Sequence, residues 1–324
     1  MKATARARAN IALSKYWGKA NVELNLPAVP SVSLTLDKLL TETTVHFRSD
    51  LDDDRISLDG TLVQGRPRER VVAVLNRIRE RAKLDRAAEV WSKNHFPTAA
   101  GLASSASGFA ALAAAATAAA DLPFRAREVS AVARQASASA ARSIYGGFAE
   151  LPRGTDRSSD TLAAKPLHGE DHWDVCMVIA LTVLGPKEVS STEGMERSRR
   201  SSPFYDAWLD AAPKLNRRLK AGLRKRDLVA VGEAMEQSTT AFHATAFAAH
   251  PSILYFQPPT IAALRTVRAL RNRGIGAYAT MDAGPHVKVL CEASSARRVA
   301  GALRKAEGVQ KVLITRPGSG VELR

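Results

Sequence analysis

Residues 97–115 read PTAAGLASSASGFAALAAA, a run of small residues leading into an alanine-rich helical pattern. Glycine and alanine let a chain approach a ligand closely, and the free N–H groups that open a helix favour an anion. Ser104, Ser105, Ser107 and Thr98 add hydroxyls for a phosphate, or for a metal bound to one. The run contains no lysine, so it is not the lysine-bearing P-loop, and it is not the GxGxxG dinucleotide loop. A small-residue helix packed tightly on a neighbour, with Ser104 as its N-cap, fits the same letters.

Three further places carry groups suited to chemistry. Lys15, Tyr16, Trp17 and Lys19 bring aromatic and basic types together once, whereas a nucleic-acid platform would repeat such pairs. A lysine pair at spacing four also suits a solvated edge. Arg142 sits among alanines and serines, where its guanidinium fork must find partners if it is even partly buried; a structural ion pair would serve equally. Asp282 follows the strand-like AYATM and precedes Ala283, Gly284 and Pro285, so it closes a strand, either lining a cleft or capping a turn. The seven histidines form no HExxH. His168 and His172 stand four apart with Glu170 and Asp171 between, but Pro166 and Gly169 make this a loop in which the rings should not align on a metal.

The elements that must position these groups alternate in type. Residues 2–13 and 31–47 read as strands, the second placing Val32, Leu34 and Leu36 on one face and Ser31, Ser33 and Thr35 on the other. Asp59-Gly60 signals a hairpin. Val71, Leu75, Ile78 and Ala82 mark the buried face of a helix after Pro67, and further helices are expected from Ser104 to Ala120 and over 126–140. A strand over 175–184 leads to a polar loop, 185–194. Helical patterns then cover about 204–248, 258–272 and 294–306, with strands over 277–281, 287–292 and 311–315. The pattern is α+β, with both halves contributing to one central cleft.

The chain has 324 residues, long enough for two lobes, and ordinary glycine and proline contents exclude collagen-like or Pro/Gly-rich disorder. Lys and Arg number 47 against 32 Asp and Glu, giving +15. Such an excess suits an anionic partner: nucleic acid, an acidic membrane surface or phosphorylated metabolites. Zinc-finger spacing, an aromatic-studded RNA-binding sheet and a basic tail are all lacking, which disfavours nucleic acid. Many arginines fall in 66–86, 197–200 and 217–226, which read as helix exteriors and loops away from the motifs. No signal-peptide core or lipid-like span occurs, so no membrane partner is expected. Cys176 and Cys291 read as buried free thiols of a reducing compartment, and a cytoplasmic location follows.

Together the motifs identify a resemblance. PTAAGLASSA is similar to the phosphate-loop pattern P-x-x-x-G-L-G/A-S-S-A of the GHMP kinase superfamily. ANIALSKYWGK (9–19), LPAVPSVSLTL (26–36), SASAARSIYGGFAE (137–150), VSSTEGM (189–195) and MDAGPHVKVL (281–290) resemble, more narrowly, the diphosphomevalonate decarboxylases. The resemblance implies a GHMP kinase-like α+β fold. Its N-terminal lobe, 1–183, would have the βαβ topology of a ribosomal-protein domain, and its C-terminal lobe, 184–324, would be an α/β sandwich. ATP with Mg²⁺ would phosphorylate the 3-hydroxyl of (R)-5-diphosphomevalonate, and loss of that phosphate with CO₂ would give isopentenyl diphosphate. A homodimer is implied as well.

By the same resemblance Asp282 is the catalytic carboxylate, with Lys15 beside it, Ser191 near the reacting carbon, and Asn10 and Arg142 on the substrate carboxylate. Tyr16, Trp17, Lys19, Ser137, Ala138, Ser139 and Thr192 would contact substrate. Pro97, Ala99, Ala100, Gly101, Leu102, Ala103, Ser104, Ser105, Ser107 and Lys187 would hold ATP, with Ser105 toward the metal. His243 would pack in the cleft wall. Departures from the family pattern are Ala20, where bacterial relatives often have a basic residue, Ala136 and Ala138, where glycines are usual, and Thr192, where some have arginine. These leave phosphomevalonate decarboxylation, giving isopentenyl phosphate, as the nearest alternative, followed by a kinase that stops at 3-phosphorylation.

Overall fold

The computed structural model describes residues 1–96, 104–155, 160–182 and 188–324. The first half contains β1 (Lys2–Ala12), β2 (Lys19–Asn21), β3 (Leu26–Pro27), β4 (Ser31–Arg48), β5 (Arg55–Leu58), β6 (Thr61–Leu62), α1 (Gly65–Ala82), β7 (Ala87–Asn94), α2 (Ser104–Ala119), α3 (Ala126–Ala136), α4 (Ala140–Ser143), β8 (Phe148–Leu151) and β9 (Lys165–His168). There follow β10 (Val175–Leu181), α5 (Ser191–Ser201), α6 (Tyr205–Lys225), α7 (Leu228–Phe247), α8 (Pro258–Asn272), β11 (Ala277–Thr280), β12 (Val287–Glu292), α9 (Ala296–Arg304), β13 (Lys311–Thr315) and β14 (Glu322–Leu323).

Two sheets organise these elements. The larger runs β14-β1-β4-β7-β5-β6, with β8 also on β4 and β9 on β8; the smaller runs β11-β12-β10-β13. The α+β architecture with two lobes is thus as expected. β10 pairs with β12 and β13, so the second sheet begins at Val175, and β14 returns to pair with β1. Periodicity locates a strand but does not name its partner.

β4 shows the alternation of its sequence, yet Ser31, Ser33 and Thr35 are as buried as Val32, Leu34 and Leu36. The strand is covered on both faces, and its serines are kept for hydrogen bonding inside. Asp59 and Gly60 both have positive φ, 51° and 84°, the backbone of the expected two-residue hairpin. Along α2, Ala110, Ala111 and Ala113 through Ala116 are fully buried, so the alanine tract packs close against β1 and β4. β10 is buried throughout because Met177 and Ile179 face the core shared with α6 and α7, while Val178 and Ala180 face the core under α8 and α9. Cys176 and Cys291 are directly opposite each other on β10 and β12, both as free buried thiols.

The helical region 204–248 comprises two helices, divided where Arg226 turns left-handed at φ 55° and Asp227 caps α7 by accepting from the Ala230 N–H. One expectation needs correction. The polar loop 185–194 ends early, because α5 begins at Ser191. Ser190 is its N-cap and accepts from the Glu193 N–H at 3.2 Å. Serine followed three residues later by glutamate is the signature of such a start. Residues 185–187 of that loop, including Lys187, lie outside the described residues, as do 183 and 184 of the strand expected before it.

Candidate active site

The turn after β1 brings Lys15 under the end of β11. Its backbone N–H donates to Ser238 Oγ of α7 at 2.9 Å, and its Nζ donates to Ala12 O and to Asp282 Oδ1, both at 2.8 Å. Lys288, from β12, places Nζ 3.0 Å from Asp282 Oδ2. The two lysine side chains are 3% and 1% exposed, whereas Asp282 is 30% exposed. Two buried ammonium groups therefore support a carboxylate that opens into a cleft of about 870 Å³. Burial opposes ionisation of Asp282, but Lys15 and Lys288 outweigh it and hold the carboxyl well below its ordinary value. Burial pushes Lys15 down to about 8, against the stabilising pull of Asp282 and with the repulsion of Lys288 and Arg142.

Lys288 belongs to the MDAGPHVKVL run, which by itself assigns it no role. The available signal was a lysine inside the apolar strand VKVLC, where a cation requires a partner.

Arg142, on the short helix α4, is 2% exposed. Its Nε donates to Ser33 Oγ at 2.9 Å, one terminal nitrogen to Ser31 Oγ at 2.6 Å, and the other to Asn10 Oδ1 at 3.4 Å. Every one of these partners is neutral, and among the described residues no carboxylate pairs with it. Burial lowers Arg142 to about 10, which still leaves it charged at neutral pH. An unmatched buried cation facing a cleft is a place for an anionic group of a ligand. Asn10 has little left for a ligand: its amide donates to Ser139 O at 2.9 Å and Ser143 Oγ at 2.7 Å while its carbonyl holds Arg142. It positions Arg142 and α4. Ser31 and Ser33 were not anticipated as parts of the site; they are the polar face of the β4 alternation.

The remaining expected residues divide by exposure to the cleft. Tyr16, Lys19, Ser137, Ala138, Ser139, Ser191 and Thr192 line it, with the Ser137 and Ser139 hydroxyls 3.0 Å apart. The Tyr16 hydroxyl and Gln135 Oε1 are buried and have no hydrogen-bond partner among the described residues, so the cleft wall holds two polar atoms to be satisfied. Burial raises the Tyr16 phenol, which stays a neutral donor.

Trp17 reaches the cleft only as part of a packed cluster. Its indole N–H donates to Ser198 Oγ at 3.1 Å, and its ring meets Phe242 at 4.9 Å. Gly194 lets α5 lie on this cluster, since a Cβ there would come within 2.8 Å of Trp17 Cη2 and of the Tyr255 hydroxyl. That close approach fixes where Ser191 and Thr192 stand.

For the nucleotide, Ser104 and Ser105 open α2 on the cleft, where hydroxyls and helix N–H groups suit phosphate oxygens. Ser107 is fully buried, and its hydroxyl lies 2.7 Å from Thr41 Oγ1, so it supports the helix instead. Pro97, Ala99, Ala100, Gly101, Leu102 and Ala103 lie outside the described residues. Among the described residues no group of His, Cys, Asp and Glu could hold a metal by itself. A Mg²⁺ here would be carried by phosphate oxygens, with Ser105, exposed at the helix start, the nearest fit among the expected residues.

His243 packs against Phe242 and Phe256 in the wall, with Nε2 buried and unpartnered among the described residues, and burial together with Lys15 pushes it down to about 3. It is a neutral spacer. The rings of His168 and His172 stack with centroids 3.8 Å apart, across the 3₁₀ turn over Glu170–His172.

The arginines of 66–86 also need correction. Arg66, Arg70 and Arg77 line the cleft. With Lys15, Lys19 and Arg142 they make six cations against two carboxylates, Glu23 and Asp282, which fits a polyanionic small ligand. Among the described residues no helix is long and apolar enough to cross a membrane.

Two family profiles match the chain: a diphosphomevalonate decarboxylase-like N-terminal domain over residues 7–163, and a mevalonate 5-diphosphate decarboxylase C-terminal domain over 177–320. The mevalonate diphosphate decarboxylase of Staphylococcus aureus is similar in structure, with a TM-score of 0.94 and 37% identity over 100% of this chain and 98% of that one. So is MDDEF solved in complex with MVAPP, AMPPCP and magnesium, with a TM-score of 0.93 and 40% identity over 100% and 99% of the two chains. The phosphomevalonate decarboxylase of Haloferax volcanii is 35% identical over 290 residues, covering 89% of this chain and 88% of its own.

Proposed function

The chain belongs to the diphosphomevalonate decarboxylase family, and from that membership we propose that its cleft carries out the ATP- and Mg²⁺-dependent decarboxylation of (R)-5-diphosphomevalonate to isopentenyl diphosphate. The observation that carries this reading at the level of residues is the pairing of an ionised Asp282, held by Lys15 and Lys288, with an unmatched buried Arg142. One side of the cleft can orient a hydroxyl, and the other can receive a carboxylate.

In this reading the 3-hydroxyl oxygen forms a bond to the γ-phosphorus of ATP as the bond to ADP breaks. Asp282 orients that hydroxyl and accepts its proton. A carboxyl depressed by two ammonium groups is a weak base, so orientation is its larger contribution. Lys15 and the α2 N-terminus face the charge of the transferred group, and Mg²⁺ supplies further charge neutralisation when bound with ATP. The tertiary C–O bond then breaks with its electron pair leaving on phosphate. Electrons of the bond to the carboxylate form the new double bond, and CO₂ departs. Arg142 holds the carboxylate in position until then.

A second reading is that the substrate is the 5-monophosphate. The similarity to the Haloferax volcanii enzyme favours it. Purified protein with ATP and Mg²⁺, offered each substrate separately and assayed for ADP, CO₂ and product, separates the two. Preferred turnover of the 5-diphosphate is expected; equal or faster turnover of the monophosphate would overturn the first reading. ADP release without CO₂ would mark a kinase. Family membership also supports a homodimer, which sedimentation velocity tests.

A further inference from the structure

Helix α1 presents one stripe to the cleft, in which Arg66, Arg70, Ala73, Val74 and Arg77 follow one another at helical spacing. Arg66 and Arg70 stand one turn apart, and Lys19 approaches them from β2. Among the described residues none of these three cations is ion-paired, although other arginines of the same helix are: Arg68 with Asp53, Arg79 with Asp54, and Arg81 with Glu128. Arg70 donates instead to Ala136 O at 2.7 Å and lies over the Phe109 ring at 4.5 Å. Burial lowers both Lys19 and Arg70 from their ordinary values, and Arg66 adds to the lowering of each by repulsion. Among the described residues, the ion pairs of α1 thus fall on arginines outside the cleft lining, and those that line it have none.

Like charges gathered without a counter-ion repel, and the arrangement is relieved by a ligand of matching opposite charge. A monophosphate ester carries about −1.5 to −2 near neutral pH, and a second phosphate adds to that. We propose that Arg66 is a specificity residue: with Lys19 and Arg70 it forms a three-cation collar for the terminal phosphate of the diphosphate, and so sets the preference for the 5-diphosphate over the 5-monophosphate. The inference rests on the diphosphate reading above. It assigns Arg66 to affinity and selection, away from the reacting centre, where Asp282 and Arg142 work.

The test compares kcat and KM for both substrates in the wild type, Arg66→Ala and Arg66→Lys, with Arg68→Ala as a control on the same helix. Arg66 is exposed, so its removal leaves the packed face of α1 intact. Arg66→Ala should raise KM for the diphosphate about ten-fold, equivalent to one lost charge-assisted contact, with kcat within about two-fold. KM for the monophosphate should change far less, so the preference ratio falls roughly ten-fold. Arg66→Lys should retain most of the ratio, and Arg68→Ala all of it. An unchanged ratio in Arg66→Ala, or equal losses on both substrates, would overturn the collar while leaving the diphosphate reading in place. A wild type that prefers the monophosphate would overturn both, and it would do so before any variant is made.

Discussion

Lys288 Nζ and Asp282 Oδ2 lie 3.0 Å apart, on the carboxylate oxygen that Lys15 does not use. The two lysines thus divide the carboxylate between them, one oxygen each, and both are far more buried than the group they hold. Asp282 is supported from behind and left open in front.

Removing this support should change rate before it changes binding. Lys288→Met leaves Asp282 with one ammonium, so its carboxyl rises from its depressed position, and the acid limb of the kcat–pH profile should move upward in pH. We expect kcat to fall about ten- to a hundred-fold, about 1.4–2.8 kcal/mol in the barrier, with ATP affinity nearly unchanged. Asp282→Asn should lose ATP-dependent phosphorylation almost entirely while still binding ATP. Isothermal titration beside single-turnover kinetics reads both variants, and an active Asp282→Asn would refute the assignment.

The alkaline limb belongs to Lys15. Its proton is lost as pH rises through about 8, well below the ordinary 10.5, because burial disfavours the charge. Turnover should therefore fall above pH 8 with a slope of one. Stability moves the other way: the unfolded chain keeps this proton up to about 10.5, so between 8 and 10.5 this group favours the folded state as pH rises. Inactivation at pH 9 should accordingly be reversible and accompanied by no loss of Tm from this group. Turnover that stays flat to pH 10 would refute the role given to Lys15.

Arg142 makes hydrogen bonds in three directions that only a planar fork can satisfy together. Arg142→Gln should lower kcat/KM by about a hundred-fold or more, comparable to losing a buried charge contact of about 3 kcal/mol. Arg142→Lys should recover little, because its single ammonium cannot span Ser31, Ser33 and a substrate carboxylate. Substantial recovery by lysine would show that charge alone suffices there.

Gly194→Ala tests whether the position of α5 matters. The new methyl would press on Trp17 and the Tyr255 hydroxyl, costing about 1–3 kcal/mol of stability as overpacking. It should also raise KM by displacing Ser191 and Thr192. A variant that loses Tm with no change in KM would separate the packing of α5 from substrate binding.

Much of the site could be read in the sequence because its residues sit in short runs with distinctive local composition. The Lys15–Lys19 run, the serines around Arg142 and the Met281–Pro285 turn converge on one cleft. What escaped were relations that a run cannot encode. Lys288 matters only because β12 lies beside β11, and Arg66 and Arg70 matter only because α1 turns that stripe toward β2. Ser107 stands in the loop motif, yet α2 rotates it toward Thr41. Asn10 would suit a substrate, but its neighbours use its amide first. Strand pairing is likewise a property of two segments, as where β14 returns to β1.

The Asp282 clamp has a further consequence. Lys15 follows a strand of the larger sheet, and Lys288 belongs to the smaller one. The carboxylate between them works as a gauge of how the two halves are aligned. A shift of an ångström across the seam would loosen one contact or the other without exposing a core. Substitutions far from the cleft, along the buried seam where Ser14 meets Asn216, should therefore be felt as slower turnover at temperatures where the protein is still folded. In this molecule the first symptom of a strained interior is a misaligned reaction centre.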